Sequence, residues 1–307
     1  MKERFIATRG SKLAVWQARK VQGLLFEKFP EHQFTLKIVE TSGDRDRSGK
    51  LWQMGGKGLF TKELEDAVLS READMAVHSL KDLPTELPKG LVLGAVPLRD
   101  DPRDVLVSKE HVRFEHLPRG ARVGTSSLRR QSQIRALRDD LELQDVRGNV
   151  TTRMKKALEG PFDAVVLAKA GIQRLGLEEW ITQEFSLEEI LPAVGQGALA
   201  VEARDPDDET LEFLDAINDA DSMTASLSER VFLKLLGGGC RMPIAAYAEV
   251  NQNEIRIQGL VASVDGKKII RREKSGRRSE FEKIAMALAE EVLSLGAREL
   301  LGSSHER

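Results

Sequence analysis

Cysteine is almost absent from this chain, which has one in 307 residues, and the formal net charge is only -2. A single thiol excludes an intrachain disulfide and a thiolate metal cluster, and it fits a reducing cytoplasm. The small net charge argues against a generic nucleic-acid binder, because no global positive field would gather phosphates.

Long hydrophobic runs are missing as well. The longest apolar stretches are strand-sized and too short to cross a bilayer. Near the start of the chain, Arg9 and Lys12 interrupt the apolar residues before a signal-peptide core could form. We therefore expect a soluble, cytoplasmic protein.

Nucleotide and metal motifs are also lacking. The chain has no Walker-type Gly-Lys-Ser/Thr run and no Gly-x-Gly-x-x-Gly turn, which counts against a nucleotide ligand. Its five histidines show no ligand spacing, so we expect no metal site.

Short apolar strands alternate with amphipathic helices over the first two-thirds of the chain, which predicts parallel sheets covered on both faces. The strand Phe5–Thr8, for example, precedes a helix that Ser11 would cap and that ends near Phe29. The last third instead shows a helix, three strands and a final helix. This pattern predicts a separate small domain with an antiparallel sheet.

Arginines recur where predicted strands meet helices. Free N–H groups and hydroxyls at a helix N-terminus bind anions, and arginine adds bidentate recognition of carboxylate or phosphate. A lone arginine at such a junction is usually structural, but several at one sheet edge favour a cleft for a polyanion. The junctions are Arg9-Gly10-Ser11, Gly124–Arg130, Arg147–Arg153 and Arg174.

An acid lies beside a base in the segment His78–Pro84, which follows a predicted strand. Asp82 could simply close a turn or cap a helix. In an arginine-rich cleft it would instead stay ionised, and it could then stabilise a cationic intermediate or move a proton. The local sequence leaves both interpretations open.

Each of three glycine-rich segments allows both a structural and a functional interpretation. Cys240 follows three glycines, so its thiol is either inert, a nucleophile or an attachment point that a large group can approach. The turn Gly55–Gly58 and Phe60 form either a lid or a flexible loop that leads into a buried aromatic. Gly195-Gln196-Gly197 marks either a hinge between domains or a tight turn.

Together these segments resemble the porphobilinogen deaminase family, also called hydroxymethylbilane synthases. They occur in the expected order from Arg9 to about Tyr247, and their combination is far more specific than any one of them. The matching segments are Ala7–Ala14, Gly55–Phe60, His78–Pro84, Gly124–Arg130, Arg147–Val150, Leu191–Leu199 and the loop that contains Cys240.

The resemblance implies an α/β fold with three domains. Domain 1 would comprise residues 1–97 and 198–217, and domain 2 residues 98–197; both would be similar to type II periplasmic binding proteins. Domain 3, residues 218–307, would be a small α+β domain that has a three-stranded antiparallel sheet and carries the cysteine.

The resemblance also implies a transferase of tetrapyrrole and haem biosynthesis. Four porphobilinogen molecules would be joined head-to-tail, with loss of ammonia, onto a dipyrromethane cofactor linked by a thioether to Cys240. Hydrolysis would then release hydroxymethylbilane. We expect a monomer that acts on porphobilinogen and a growing pyrrole chain, without nucleic acid, membrane or metal.

Site residues follow from the same resemblance. Asp82 would be catalytic, because an anion beside the pyrrole N–H groups stabilises the cationic intermediates. Lys57 and Phe60 would belong to a lid. The cofactor would be held by Ser11, Lys81, Asp82, Thr125, Ser127, Arg129 and Arg130. Substrate or the growing chain would be bound by Arg9, Arg147, Arg153, Arg174 and Gln196.

Two rival functions use the same basic cleft. A non-catalytic anion-binding protein could share the two-domain architecture, but it would not explain the glycine-cysteine loop. A nucleic-acid-binding regulator is disfavoured by the net charge and by the lack of a recognisable helix-turn-helix or aromatic platform.

Overall fold

The computed structural model describes residues 3–42, 61–238 and 242–302. Lys57, Phe60 and Cys240 lie outside these described residues. The chain divides into two compact units, which are Met1–Arg99 with Ala198–Met223, and Asp100–Gly197 with Thr224–Arg307. The three domain boundaries expected from the sequence stay a prediction.

Strands and helices alternate along most of the chain. The strands are β1 (Glu3–Thr8), β2 (Gln33–Ile38), β3 (Met75–Ser79), β4 (Leu91–Ala95), β5 (Asp104–Ser108), β6 (Arg122–Gly124), β7 (Glu142–Gln144), β8 (Ala164–Ala168), β9 (Gln183–Glu184), β10 (Leu199–Arg204), β11 (Ile244–Asn251), β12 (Glu254–Ala262) and β13 (Ile269–Arg277). The helices are α1 (Lys12–Lys28), α2 (Lys62–Leu69), α3 (Leu128–Leu137), α4 (Val150–Leu158), α5 (Lys169–Gln173), α6 (Asp208–Asp215), α7 (Ala220–Leu235), α8 (Phe281–Ser294) and α9 (Ala297–Gly302).

The first unit contains a five-stranded sheet in the order β2-β1-β3-β10-β4. Helix α1 begins at the predicted cap, since Ser11 Oγ accepts a hydrogen bond from Ala14 N at 3.2 Å. Its Val21 and Leu25 pack in the same core cluster as Met75 of β3. On α2, Leu64 packs with alanines of β1 and β3 in a separate cluster. The sheet is therefore covered by helices, as the alternating pattern predicts.

The second unit contains another five-stranded sheet, in the order β7-β6-β8-β5-β9. Strands β7, β6 and β8 are parallel, whereas β5 is antiparallel to both of its neighbours. In the first sheet β10 is likewise antiparallel to β3 and β4. The expectation of parallel sheets is therefore confirmed for β1, β2 and β3 and for β6, β7 and β8, and it was wrong for β5 and β10. A parallel pair of consecutive strands is joined by a crossover connection, usually a helix, within one sheet. The chain enters β5 and β10 from the other compact unit instead, so this rule does not fix their direction.

A tight chain crossing precedes β10. Gly197 has φ +87°, and a Cβ at this position would lie 2.4 Å from the carbonyl oxygen of Asp100. Gly197 O in turn accepts a hydrogen bond from Asp100 N at 3.2 Å. Only glycine fits this approach without strain.

A third sheet, β11-β12-β13, is antiparallel throughout. Its core combines Ile257 of β12 with Leu288 and Val292 of α8 and with Phe232 of α7. Gly259 lets the Phe232 ring approach the sheet, because a Cβ there would lie 2.4 Å from Phe232 Cζ. The predicted small α+β portion and the predicted α/β class are confirmed.

Candidate active site

Arg9, Ser11 and Asp82 line one small pocket of about 80 Å³ in the first unit. Arg9 and Ser11 follow β1, and Asp82 follows β3 in a 3-10 turn, Leu80–Asp82. Because β1 and β3 are parallel neighbours, their carboxyl ends meet at one edge of the sheet. The rest of the wall is formed by Leu13, Ala14, Gln17, Thr61, Val77, His78 and Ser79.

The turn that carries Asp82 is fixed by its backbone. Leu80 N donates to Ala198 O at 3.0 Å, and Leu83 N donates to Leu80 O at 3.1 Å. Just before the turn, Ser79 Oγ accepts a hydrogen bond of 2.7 Å from Gln17 Nε2. Asp82 itself is exposed and lines the pocket. Lys81 is half-buried in the same turn.

A buried group of acids and an imidazole adjoins this pocket, because His78 is part of its wall. His78 Nε2 is 2.7 Å from Glu202 Oε2, and both side chains are almost fully buried. Their strands pair so that His78 faces Ala200, which puts His78 and Glu202 on the same face of the sheet. On α2, burial raises the pKa of Glu65, and the nearby Glu202 carboxylate raises it further. Sequence reasoning missed Glu65 and Glu202.

Arg129 and Arg130 lie in the first turn of α3, after the cap Ser127, whose Oγ accepts from Arg130 N at 3.4 Å. Both arginines are buried, at 4% and 6% exposure, and both bind Asp104. Thr125 is buried beside them, and its Oγ1 accepts from Ser127 N at 3.3 Å.

Asp104 is fully buried at the start of β5. Burial alone would favour the neutral acid, but the charges and hydrogen bonds of Arg129 and Arg130 outweigh it and hold the pKa of this carboxyl well below its usual range. Burial also lowers the pKa of Arg129, although attraction to Asp104 opposes that shift. Gln196 joins the group, because its Nε2 donates to Asp104 Oδ1 at 2.8 Å.

The remaining predicted arginines lie at the same edge of the second sheet, where the parallel strands β7, β6 and β8 end. Arg147 is exposed before α4, and Arg153 Nε donates to Gly148 O at 2.7 Å. Arg174 is buried after α5, and its Nε donates to Asp100 Oδ2 at 2.8 Å. Burial lowers the pKa of Arg174 despite this carboxylate.

Sequence reasoning thus located residues that the structure gathers in two groups, one at each five-stranded sheet. Their binding roles stay predictions. Among the described residues, no cluster of three or more His, Cys, Asp or Glu side chains could hold a metal ion. In the same parts of the chain, no helix has the length and apolar character needed to span a membrane.

The fold and this geometry define an α/β protein with cations and hydroxyls clustered at the strand ends of its two larger sheets. Residues 5–212 match the family model described as porphobilinogen deaminase, dipyromethane cofactor binding domain. Residues 223–294 match the model described as porphobilinogen deaminase, C-terminal domain.

Curated relatives agree with the family models over the whole length. The porphobilinogen deaminase of Maridesulfovibrio salexigens is 46% identical over 307 residues, which is 100% of each chain. That of Pelotomaculum thermopropionicum is 48% identical over 296 residues, covering 96% of this chain and 95% of its own. This chain belongs to the porphobilinogen deaminase family.

Among solved structures, the chain is similar to the periplasmic VFT2 domain of BvgS from Bordetella pertussis. The sequence identity is 16% and the TM-score 0.43, with 74% of this chain and 91% of that chain covered.

Proposed function

We propose that this chain joins four porphobilinogen molecules into hydroxymethylbilane, as a transferase of tetrapyrrole and haem biosynthesis. At each addition, the bond to the aminomethyl nitrogen breaks and ammonia leaves, a carbon–carbon bond forms, and one proton is lost from a pyrrole carbon. Water then cleaves the finished tetrapyrrole from its primer. The observation that carries this proposal is the family match over residues 5–212 and 223–294.

The side chains present fit a dipyrromethane, whose acetate and propionate groups need cations and hydrogen-bond donors. When bound, this cofactor supplies the pyrrole carbon to which the first substrate unit is added. We assign its attachment to Cys240. The carboxylates would be held by Ser11, Lys81, Thr125, Ser127, Arg129 and Arg130, several of which lie at the N-termini of α1 and α3.

Asp82 is the catalytic residue of this proposal. Its carboxylate accepts a hydrogen bond from the substrate pyrrole N–H, and it stabilises the positive charge that the ring gains as ammonia leaves. The exposed position of Asp82 and its fixed turn support this role, because the charge is available to substrate without a rearrangement of the backbone.

Substrate and growing chain would be bound by Arg9, Arg147, Arg153, Arg174 and Gln196. Arg147 and Arg153 are the most accessible of these on the second sheet. Lys57 and Phe60 would close over the bound chain. We further propose a cytoplasmic monomer that binds neither nucleic acid nor membrane, with the three domain boundaries given above.

Incubation of the purified chain with porphobilinogen tests the proposed reaction. We expect four ammonia molecules for each hydroxymethylbilane released, measured by ammonia assay and by the absorbance of the oxidised product. Light scattering in the same buffer should give the mass of one chain. Saturable porphobilinogen binding without ammonia release would instead favour the anion-binding protein.

A further inference from the structure

Asp104 lies at the centre of the arginine group on the second sheet. Its Oδ2 accepts from Arg129 Nη1 at 2.7 Å. Its Oδ1 accepts from Arg130 Nε and Nη2, at 3.1 and 2.7 Å, and from Gln196 Nε2 at 2.8 Å. One buried carboxylate therefore contacts three residues that the proposed function assigns to cofactor or substrate.

The other hydrogen bonds of these side chains restrict them further. Arg130 Nη1 donates to Val166 O on β8 at 3.0 Å, and Arg129 Nη1 donates to Leu191 O at 2.8 Å. Gln196 Nε2 also donates to Pro102 O at 2.6 Å. The two guanidinium groups and the amide of Gln196 thus each donate to Asp104 and to a backbone carbonyl oxygen. Asp104 is the acceptor that these hydrogen bonds have in common.

Charge gives Asp104 a second effect. Two adjacent guanidinium groups repel each other when buried, and one carboxylate between them leaves the group with a net charge of about one positive unit. A buried ion pair of this kind adds little net stability over a well-packed apolar core, but removing one partner leaves an uncompensated charge. Such a pair is better suited to fixing orientation than to stabilising the fold.

We propose that Asp104 is a positioning residue that orients Arg129, Arg130 and Gln196 toward the carboxylates of the dipyrromethane and the growing chain. This inference rests on the roles given to those three residues under the proposed function. Asp104 itself is fully buried and acts only through them.

Asp74 offers a matched control. It also binds two buried arginines, with Oδ1 3.1 Å from Arg4 Nη1 and 3.5 Å from Arg204 Nη2. Asp74 precedes the amino end of β3, whereas Asp82 follows its carboxyl end. The strand between them has 5 residues and is roughly 16 Å long at about 3.3 Å per residue. Asp74→Asn thus removes a carboxylate that also binds two arginines, but at the end of the strand opposite the pocket.

The experiment compares Asp104→Asn with Asp74→Asn in the full chain, using only protein shown to be folded by circular dichroism. Both variants should melt at lower temperature. Only Asp104→Asn should bind its ligands less well. Either the fraction of protein that carries dipyrromethane, measured by intact mass, falls at least about tenfold, or KM for porphobilinogen rises about tenfold. A tenfold change corresponds to a loss of about 1.4 kcal/mol in binding free energy. Asp74→Asn should stay within about twofold of wild type in both.

Wild-type loading and KM in folded Asp104→Asn would overturn the inference. If Asp104→Asn does not fold, Asp104→Glu is used in its place, because it keeps the charge but displaces the carboxylate. It should show a partial loss of cofactor loading, and wild-type loading in Asp104→Glu would equally overturn the inference.

Arg129→Met and Arg130→Met separate the two proposals. If both load normally, the assigned arginine roles fail; if they lose cofactor while Asp104→Asn keeps it, only the positioning role fails.

Discussion

Asp82 is exposed, whereas Glu65, His78 and Glu202 are buried. An isosteric change at Asp82 should therefore alter chemistry without disturbing the core. We expect Asp82→Asn to retain the cofactor by intact mass but to lower kcat at least about 100-fold, as loss of a charge-stabilising group does in other enzymes. Near-normal kcat would exclude the catalytic role, and loss of the cofactor would assign Asp82 to cofactor binding instead.

The buried carboxyl of Glu65 should make the free energy of unfolding depend on pH. Its pKa is raised in the folded protein because the side chain is buried, so the folded state holds this proton more tightly than the unfolded chain does. The stabilising contribution of the protonated acid is complete below the unfolded pKa of about 4.3 and is lost as pH rises through the folded pKa.

Glu65→Gln has no proton to lose. Its stability relative to wild type should therefore increase between pH 4.5 and pH 8, by about 1.4 kcal/mol for each unit by which the pKa is raised. Urea unfolding at several pH values measures this difference. A difference that stays constant or falls with rising pH would contradict a raised pKa of Glu65 in the folded protein.

At the scale of single residues, the sequence predicts groups whose signal is local. Ser11 and Asp82 follow strands directly, and the structure places both at the same pocket. Asp104 was not predicted, because it begins an apolar strand and its arginine partners lie 25 and 26 positions later in the chain. The pairing of His78 with Glu202 depends on strand register, which the sequence alone does not give.

Helix caps allow a prediction at the scale of elements. Ser127 caps α3 and Asn149 caps α4, where Asn149 Oδ1 accepts from Thr152 N at 2.9 Å. Replacing either by alanine should cost about 1 kcal/mol in the free energy of unfolding. Ser127→Ala should also reduce cofactor loading, because the O–H of Ser127 can donate to a carboxylate while its oxygen accepts from the helix.

Asn149→Ala is the control for this comparison. It removes a helix cap at a residue without an assigned cofactor contact, so its loading by intact mass should match wild type. Equal loading in the two alanine variants would remove Ser127 from the cofactor site.

Most elements were predictable within a few residues, since periodicity and caps act locally. The two-residue strand β9 and the helices α6 and α9 were not predicted. The direction of β5 and β10 was also wrong, because a strand that enters a sheet from another part of the chain carries no local mark of its orientation.

The described residues form two five-stranded sheets, each with cationic side chains and hydroxyls at its strand ends, and a smaller antiparallel sheet. This arrangement suits a chain that must hold many carboxylates while a polymer grows. The family's covalent primer requires one attachment point, and the sequence offers one cysteine.

Intact-protein mass spectrometry is the decisive measurement for the covalent cofactor. Purified protein should be heavier than its sequence by two linked pyrrole units, and proteolytic mapping should locate the addition on Cys240. Cys240→Ser should carry no addition and show no turnover. An unmodified wild-type protein that is fully active would contradict a covalently attached primer.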